Sequence, residues 1–555
     1  MKVEEEAAGG GSAKPLAPSG ASASALVAGG ILLSRIAGLA RERVFAQYFG
    51  TSLFADAFRA GLRMPNVLQN LLGEGTLSAS FIPVYAELIE EGKEEEAGRV
   101  AGAIFGLLLA VAGVLAFVGV VFAPLLTSIF LPGFEGERRE LTIMVTRILF
   151  PMTGVLVLSA WSLGILNSHR QFFIPYFAPV LWNAAMIGTL LVLGGALPSD
   201  RLVIALAWGA LAGGGLQFLI QIPFVLRLEK QLRISWATRL AGVREAVKNA
   251  GPAILGRGVV QLSGWLDMVL ASFLAAGAVA AIGYAQVLYL LPVSLFGMSV
   301  AAAELPELAR QRGEAAEVLR ARTSAGLKRV AFYVVPSFVV YVLLGDVVVA
   351  ALYQTGEFSR TDTLVVYLTL VGYAMGLLAS TATRLFSSTF FALRDTKTPA
   401  KFAAVRVGVA AVLGAGLMVQ FEPIRPFGEG GFQIGPGLLA GLRIGDQTLG
   451  AVGLAFGAGL AAWLELVLLR RALGQRIGAV GVGAPTWMRM FAAALTGAAV
   501  GWGVRIALPA LHPIVDALFI LGAFGITYFA LAAALGLGEA QAVFGRVRRL
   551  LKRVR

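Results

Sequence analysis

Long apolar stretches recur along the chain and are separated by short polar connections. The stretch AGAIFGLLLAVAGVLAFVGVVFAPLL at residues 101–126 is typical of them. A hydrocarbon core of about 30 Å requires about 20 apolar residues in a helix, so each stretch predicts one membrane span. We predict about fourteen spans, at residues 24–49, 54–88, 99–130, 140–166, 172–195, 202–227, 246–275, 279–307, 327–352, 364–392, 400–421, 448–472, 486–508 and 513–536. The pattern therefore predicts an all-α polytopic membrane protein without a separate soluble domain.

A polar, basic connection at 229–245 divides these spans into two groups of six and a final pair. The predicted units are an N-terminal lobe at 24–228, a cytoplasmic linker at 229–245, a C-terminal lobe at 246–421 and 448–472, and a terminal pair at 486–536. Segment 422–447 is rich in glycine and proline and is predicted to be a flexible external hairpin. Residues 1–23 and 537–555 are predicted to be cytoplasmic tails, the first disordered and the second basic.

Charge and composition exclude several classes of function. The net charge of +13 comes from basic residues spread over short loops, and the larger groups, at 227–248 and 310–329, fall on the predicted inner side. This predicts that both termini are cytoplasmic, and it argues against a nucleic-acid partner. The chain has no cysteine and two histidines, and no Walker loop, HExxH motif or acidic metal cluster is recognisable. We therefore expect neither an enzyme nor a resident metal or cofactor, but a transporter driven by a gradient.

The second predicted span contains an unusual polar stripe, within DAFRAGLRMPNVLQNLLGEG at residues 56–75. A charge at the centre of a membrane helix costs about 2.5–3.5 kcal/mol, so such residues usually face a bundle interior or a watery cavity. Spacings of three and four place the polar side chains on one helix face. They are Asp56, Arg59, Arg63, Asn66, Asn70 and Glu74. The stripe predicts either a cavity lining or a structural ladder in which Asp56 pairs with Arg59 or Arg63.

Three small or rigid residues in this span predict bending. Pro65 removes a backbone hydrogen bond, while Gly73 and Gly75 permit a close approach or a break. We expect these three positions to act as a hinge beside the polar face.

Spans one and seven add further arginines. Arg35 lies too deep for easy snorkelling and is the better site candidate, whereas Arg41 and Arg43 lie near the predicted outer end and are within reach of headgroups. Arg257 in span seven has either a ligand role or a structural acidic partner. Together the three spans carry about two more positive than negative charges, unless Arg41 and Arg43 are interfacial. A cationic cavity indicates an anionic ligand, and the planar fork of arginine suits phosphate or carboxylate.

Several segments carry a resemblance to a known family. They are SRIAGLARERVFAQYFG, DAFRAGLRMPNVLQNLLGEGTLSASFIPVYAE, ILNSHRQFFIPYFAPVLWN, GPAILG, LYQTGEF and ALRDTKTPAKFA. In this order they resemble the MurJ (MviN) lipid II flippases of the multidrug/oligosaccharidyl-lipid/polysaccharide exporter (MOP) superfamily. The matches extend over most of the chain, and it is their combination that is specific.

The resemblance implies fourteen helices in two six-helix lobes, with a terminal pair forming a groove for a polyprenyl tail. It also implies alternating access that moves the peptidoglycan precursor across the bacterial inner membrane in support of the cell wall and cell shape. The cationic site it implies contains Arg35, Arg41 and Arg63, with Asp56 and Glu74 as acidic partners.

Two departures from the family pattern stand out. Gln69 occupies a position where the family usually has arginine, and YAQVL places Gln286 and Val287 where it reads like YADRL. We expect Arg59 and Arg257 to compensate.

The prediction is thus a lipid II flippase that binds a polyprenyl-diphosphate lipid through Arg35, Arg41, Arg59, Arg63 and Arg257. Membrane lipids and cell-wall synthesis proteins are further candidate partners. The alternatives are a flippase for another polyprenyl-diphosphate glycolipid, an antiporter of cationic drugs, which a positive cavity disfavours, and a non-transporting scaffold for cell-wall enzymes.

Overall fold

The computed structural model describes residues 20–311, 316–424, 434–435, 437–509, 511–542 and 545, and it is almost entirely helical. The side chains of residues 20–26, 255–257, 259–260 and 262–263 lie outside this description. The predicted tails at 1–23 and 537–555 therefore fall largely outside the described residues, as do residues 425–433 and 436 of the predicted loop at 422–447.

Nine helices form the first lobe. They are α1 Gly20–Phe49, α2 Leu53–Leu72, α3 Glu74–Glu90, α4 Glu94–Val121, α5 Ala123–Phe130, α6 Gly136–Ser168, α7 Phe173–Leu193, α8 Ser199–Leu219 and α9 Ile222–Leu228. Within this lobe α1 packs on α7, and α2, α4 and α8 pack on α6.

The second lobe and the terminal pair follow. The second lobe consists of α10 Ala241–Ser272, α11 Ala278–Pro292, a π-helical turn Val293–Met298, α12 Ser299–Arg310, α13 Ala316–Leu343, α14 Gly345–Tyr353, α15 Arg360–Ala374, α16 Leu377–Ala392, α17 Lys397–Phe421 and α18 Gly450–Ile477. Helices α19 Ala484–Ala507 and α20 Pro513–Ala534 pack on each other and against α13 and α14. Strands β1 Arg443–Ile444 and β2 Gln447–Thr448 pair antiparallel before α18.

Helices that follow one another after a break of one or two residues, or across the π-helical turn, can be counted as single segments. The twenty helices then form fourteen segments, at the positions of the predicted spans. Ten of the described segments are long and apolar enough to cross a membrane, and α15 with α16, bent by 42°, makes eleven. The other three are α1, α2 with α3, and α10, the segments in which the sequence places charges. The all-α polytopic class is thus confirmed.

Small residues let the helices of the second lobe pack closely. A Cβ on Gly457 of α18 would lie 2.5 Å from the Cα of Gly414 on α17, so neither position tolerates a larger residue without displacement. Close packing of this kind stabilises helix pairs in membranes, where the hydrophobic effect does not drive helices together.

The two lobes share a core at one end of the molecule. The largest cluster of buried side chains joins Phe45, Phe49 and Phe58 of the first lobe to Tyr284 and Phe358 of the second. This is the end at which α1 turns into α2, and we call it the α1–α2 end. A smaller cluster joins Phe81 and Tyr85 of α3 to Val243 and Ala246 at the start of α10. The lobes therefore share their largest buried cluster at the α1–α2 end and a smaller one where α10 begins.

Three details differ from the sequence-based expectations. The first helix already begins at Gly20, inside the predicted tail, and α10 begins at Ala241, inside the predicted linker. Pro65 does not interrupt α2, which continues to Leu72. The break lies at Gly73, where ψ is −147° and a Cβ would lie 2.5 Å from the carbonyl oxygen of Gln69.

Asp395 fixes the start of α17, within the ALRDTKTPAKFA segment. Its carboxylate accepts hydrogen bonds from the backbone N–H groups of Lys397 (3.0 Å) and Thr398 (2.9 Å) and from Thr398 Oγ1 (2.7 Å), and it pairs with Arg476. These hydrogen bonds, chiefly those from Thr398, lower the pKa of Asp395 to about 2. The segment thus joins α16 to α17 in a defined geometry.

Candidate functional site

A cavity of about 290 Å³ lies between the lobes, where α1 and α2 face α10 and α11. Its polar lining consists of Arg41, Glu42, Arg59, Arg63, Asn66, Asp267 and Gln286, and the rest is mostly apolar. We call this the arginine cavity.

Glu42 forms ion pairs with two of the three arginines that line the cavity. Its carboxylate lies 2.6 Å from Nη2 of Arg41 and 2.5 Å from Nη2 of Arg59. The Arg59 guanidinium also lies over the rings of Tyr284 and Phe45, 4.2 and 5.0 Å from their centroids. Arg59 therefore reaches the cavity, but its charge is already paired and its position is fixed by the protein.

Arg63 differs from its neighbours. It makes no hydrogen bond or ion pair with any residue that the structure describes, and Asp267 across the cavity acts on it only at longer range. The guanidinium lies against Gly264, where an added Cβ would clash with Nη2 of Arg63 and would displace it. The Arg63 guanidinium is thus the cation in this cavity whose donors remain available to a ligand.

Formal charges on the described lining leave an excess. Three arginines face two carboxylates, Glu42 and Asp267, so the arginine cavity carries one net positive charge. Gln286, at one of the positions where the resemblance predicts a charge, instead donates a hydrogen bond to Tyr373 Oη at 3.0 Å. The cavity suits an anion.

Two predicted site residues are not among the described lining. Arg35 is exposed and donates a hydrogen bond to Ser294 Oγ of the π-helical turn at 2.9 Å. The structure therefore reverses the expected ranking, since Arg41 rather than Arg35 faces the cavity. Arg257 lies on α10, but its side chain is outside the described residues, so its compensating role stays a prediction.

Asp56 does not pair with Arg59 or Arg63, which corrects the expected ladder. It is fully buried, lies 2.7 Å from Nη2 of Arg138 on α6, and accepts hydrogen bonds from the backbone N–H groups of Gly277 and Ala280, each at 2.7 Å. These N–H groups belong to the start of α11, whose dipole favours a negative charge. Asp56 is thus a contact between the lobes rather than a partner of the cavity arginines.

Further contacts close the α1–α2 end. Thr51 donates a hydrogen bond to Asp362, and the two also share Gln447, whose Nε2 lies 3.0 Å from Thr51 Oγ1. Only a glycine fits at 277, because a Cβ there would clash with the carbonyl oxygen of Thr51. Backbone and side chains of both lobes therefore meet here without an intervening gap.

The polar stripe of α2 is divided between two cavities. Arg59 and Arg63 face the arginine cavity, whereas a second cavity of about 330 Å³ lies inside the first lobe, against α6, α7 and α8. Its polar lining consists of Asn66, Gln69, Asn70, Glu74, Ser159, Trp182 and Gln217, and we call it the amide cavity. Glu74 therefore does not act as a partner of the arginines either. Asn66 lines both cavities.

The family model described as Lipid II flippase MurJ matches residues 45–425 of this chain. The chain belongs to the MurJ lipid II flippase family. A MurJ lipid II flippase of Burkholderia cenocepacia is 31% identical over 472 residues, which are 84% of this chain and 85% of that relative. A probable MurJ lipid II flippase of Haemophilus influenzae is 30% identical, over 80% of this chain and 84% of its own length.

Solved structures show the same fold. A MurJ lipid II flippase in an inward closed conformation matches with a TM-score of 0.72 and 22% identity, over 92% of this chain and 99% of that one. An inward-facing multidrug resistance MATE transporter of the MOP superfamily matches with a TM-score of 0.61 and 19% identity, over 80% and 95%. This member of the MurJ family therefore has the architecture of the MOP transporters.

Sequence reasoning missed Arg138 in this MurJ family member. The sequence gives no sign of its role, because it stands beside Arg139 ahead of an apolar span, where cations commonly contact lipid headgroups. Arg138 is buried, lies over the ring of Phe134 and donates a hydrogen bond to the Leu274 carbonyl at 3.0 Å, whereas Arg139 is half-buried and donates to Ser128 Oγ at 3.1 Å. Nothing in the local pattern separates the two, since the partners of Arg138 come from distant segments.

Proposed function

We propose that this chain moves lipid II, the lipid-linked peptidoglycan precursor, from the cytoplasmic to the periplasmic leaflet of the bacterial inner membrane. The names of its relatives supply the substrate. The observation that carries the proposal is Arg63, which lines a net positive cavity between the lobes and has no partner among the described residues. The substrate's diphosphate is an anion that a guanidinium binds through two parallel hydrogen bonds.

Alternating access follows from the size and position of this cavity. Pockets that enclose drug-sized ligands measure about 300–1,000 Å³, so about 290 Å³ has room for a diphosphate but not for a whole glycopeptide head group. The lobes must separate to admit the rest. Because contacts such as Asp56 with the start of α11 hold the α1–α2 end closed, we infer that the entry route opens at the opposite end, where the start of α10 must move away from α3. The contacts at the α1–α2 end then break when the substrate leaves.

The polyprenyl tail requires an apolar surface outside the arginine cavity. A cavity of about 580 Å³ lies between α13, α16, α18 and α19 and is lined almost entirely by apolar side chains, including Phe338, Phe386, Trp463, Trp487 and Phe491. We assign the tail to this groove, which the terminal pair helps to form. Such a surface recognises hydrocarbon without a specific polar contact.

A complementation experiment tests the proposed function. Cells depleted of their own flippase are supplied with the wild-type chain, with Arg63→Ala or with Arg310→Ala, whose exposed side chain pairs only with Glu307 among the described residues. We expect the wild type and Arg310→Ala to restore growth and lipid II transport, and Arg63→Ala to fail at equal protein level. Full rescue by Arg63→Ala would contradict the cavity mechanism and favour a scaffold that recruits cell-wall enzymes.

A second candidate substrate has one observation in its favour. Gln69 and Gln286 stand at positions where the resemblance predicts charges, so the neutral part of the binding surface is larger than expected. This favours another polyprenyl-diphosphate glycolipid. Transport of such a lipid without transport of lipid II, by purified protein in vesicles, distinguishes the two substrates.

A further inference from the structure

The amide cavity has a lining unlike that of the arginine cavity. Its polar residues include four amides, Asn66, Gln69, Asn70 and Gln217, together with Glu74, Ser159 and Trp182, and its described lining contains no arginine or lysine. We propose that the amide cavity is a subsite for the uncharged sugar part of the lipid head group, an assignment that rests on the proposed flippase function.

The polar groups of this cavity are available to a ligand. The side chains of Gln69, Asn70 and Glu74 make no hydrogen bond or ion pair with another residue in the described part of the chain. The side chain of Gln217 donates one hydrogen bond, to Ser159 Oγ at 3.3 Å, which leaves the side-chain oxygen Oε1 free to accept. Amides offer both donors and acceptors, which match sugar hydroxyl and acetamido groups.

Trp182 gives the cavity an aromatic wall with a fixed position. Its indole Nε1 donates a hydrogen bond to the Ala210 carbonyl at 3.0 Å, which sets the orientation of the ring. Trp182 also joins the two cavities, because the Arg41 guanidinium, which lines the arginine cavity, lies 5.0 Å from its centroid. The first sugar is bonded directly to the diphosphate, so a sugar subsite must lie beside the anion site, as this one does.

The charge of the lining indicates which part of the lipid head group the amide cavity binds. The described lining offers a diphosphate no cation, and Glu74 repels both the diphosphate and the peptide carboxylates. An uncharged sugar is not repelled, and the Glu74 carboxylate can accept hydrogen bonds from its hydroxyl groups. The volume of about 330 Å³ is also within the range that encloses a small ligand. Gln69 thus contributes a neutral donor and acceptor in place of a charge.

Binding measurements on the full-length protein in lipid nanodiscs test this subsite. The three probes are a polyprenyl diphosphate, the same lipid carrying a disaccharide, and the same lipid carrying disaccharide and peptide. The variants are Gln69→Leu, Gln217→Leu and the pair combined, with Arg63→Ala as the matched control in the other cavity. We expect the wild type to bind the disaccharide lipid more tightly than the bare lipid, and the combined variant to reduce that preference about tenfold, since two hydrogen bonds are lost.

The possible results distinguish failure of the proposed sugar subsite from failure of the proposed flippase function. Unchanged affinity for the bare lipid shows that the amide variants fold, whereas Arg63→Ala should weaken all three probes. An equal loss for all three probes in the amide variants, or an unchanged sugar preference, overturns the subsite. A preference that appears only with the peptide attached assigns the cavity to peptide and also overturns it. Failure of the wild type to bind any probe overturns the flippase proposal itself.

Discussion

Asp56 and Arg63 belong to the same polar stripe of α2, yet their side chains have opposite environments. Asp56 is saturated by a buried guanidinium and two backbone N–H groups, whereas Arg63 has no hydrogen bond or ion pair in the described part of the chain. A charged side chain whose hydrogen bonds are all made within the protein contributes to the fold. A charged side chain in a cavity without such partners remains available for a ligand. The same helix face therefore carries both a structural contact and a binding group.

Removing Asp56 should destabilise the protein. Asp56→Ala leaves the buried Arg138 guanidinium without its carboxylate, a change that typically costs about 3–5 kcal/mol. We expect a clearly lower Tm for the purified variant. Arg139→Ala, next to Arg138 in sequence but only half-buried and bonded to Ser128 Oγ, is the matched control and should lower the Tm much less. Equal Tm values for the two variants would show that the ion pair contributes little.

Arg59 and Arg63 should respond differently to truncation. Arg59→Ala removes a partner of the buried Glu42 carboxylate and the contact with the Tyr284 ring, so we expect a lower Tm together with weaker lipid binding. Arg63→Ala should weaken lipid binding at an almost unchanged Tm. Thermal unfolding and lipid binding, measured on the same preparations, check the distinction. A larger loss of Tm in Arg63→Ala than in Arg59→Ala contradicts it.

Among the elements, the junction of α2 and α3 shows how a single glycine divides one polar stripe. The break at Gly73 separates Glu74, at the start of α3, from the arginines of α2, and the amide cavity lies beside it. Bending at this position therefore changes the wall of the amide cavity more directly than that of the arginine cavity.

Gly73→Ala should disturb this junction. An added Cβ lies 2.5 Å from the Gln69 carbonyl oxygen, which is backbone and cannot turn away. We expect a loss of about 1–3 kcal/mol, typical of overpacked sites, and reduced complementation of flippase-depleted cells. Gly113→Ala on α4 is the control, because its Cβ meets nothing within 4 Å. If both variants complement equally well, the break tolerates a side chain.

The sequence predicted the positions of the helices better than the contacts between distant residues. Apolar stretches of about 20 residues locate the helices, and spacings of three and four place the α2 stripe on one face, because both depend on local geometry. The division of that face between two cavities depends on α6 to α8 on one side and α10 and α11 on the other. The partners of Asp56 lie 82 residues away at Arg138 and more than 200 away at Gly277, and no local pattern specifies such contacts.

For the molecule as a whole, the shared core at the α1–α2 end defines a contact that alternating access must break. Phe45 and Phe49 of the first lobe pack there with Tyr284 of the second, and the Thr51–Asp362 hydrogen bond lies at the same interface. At the opposite end the lobes meet in a smaller cluster, in which Val243 and Ala246 of α10 pack with Phe81 and Tyr85 of α3.

A disulfide across this interface should arrest transport reversibly. The natural chain has no cysteine, so Thr51→Cys with Asp362→Cys introduces the only two thiols, at positions whose side chains are in contact. We expect oxidation to stop transport and a reductant to restore it. Each single variant, treated with the same oxidant, is the control. Transport that continues in the fully oxidised double variant would show that the lobes need not separate at this end.

The balance of charge in the arginine cavity has an electrical consequence. The described lining carries one net positive charge when empty, and a diphosphate, with about two negative charges, reverses that sign when it binds. The voltage across a membrane acts on a moving charge with about 2.3 kcal/mol per elementary charge per 100 mV. In the proposed transport cycle, a voltage that pulls the loaded carrier outward would pull the empty carrier back, so that one field of constant direction would drive both halves of the cycle.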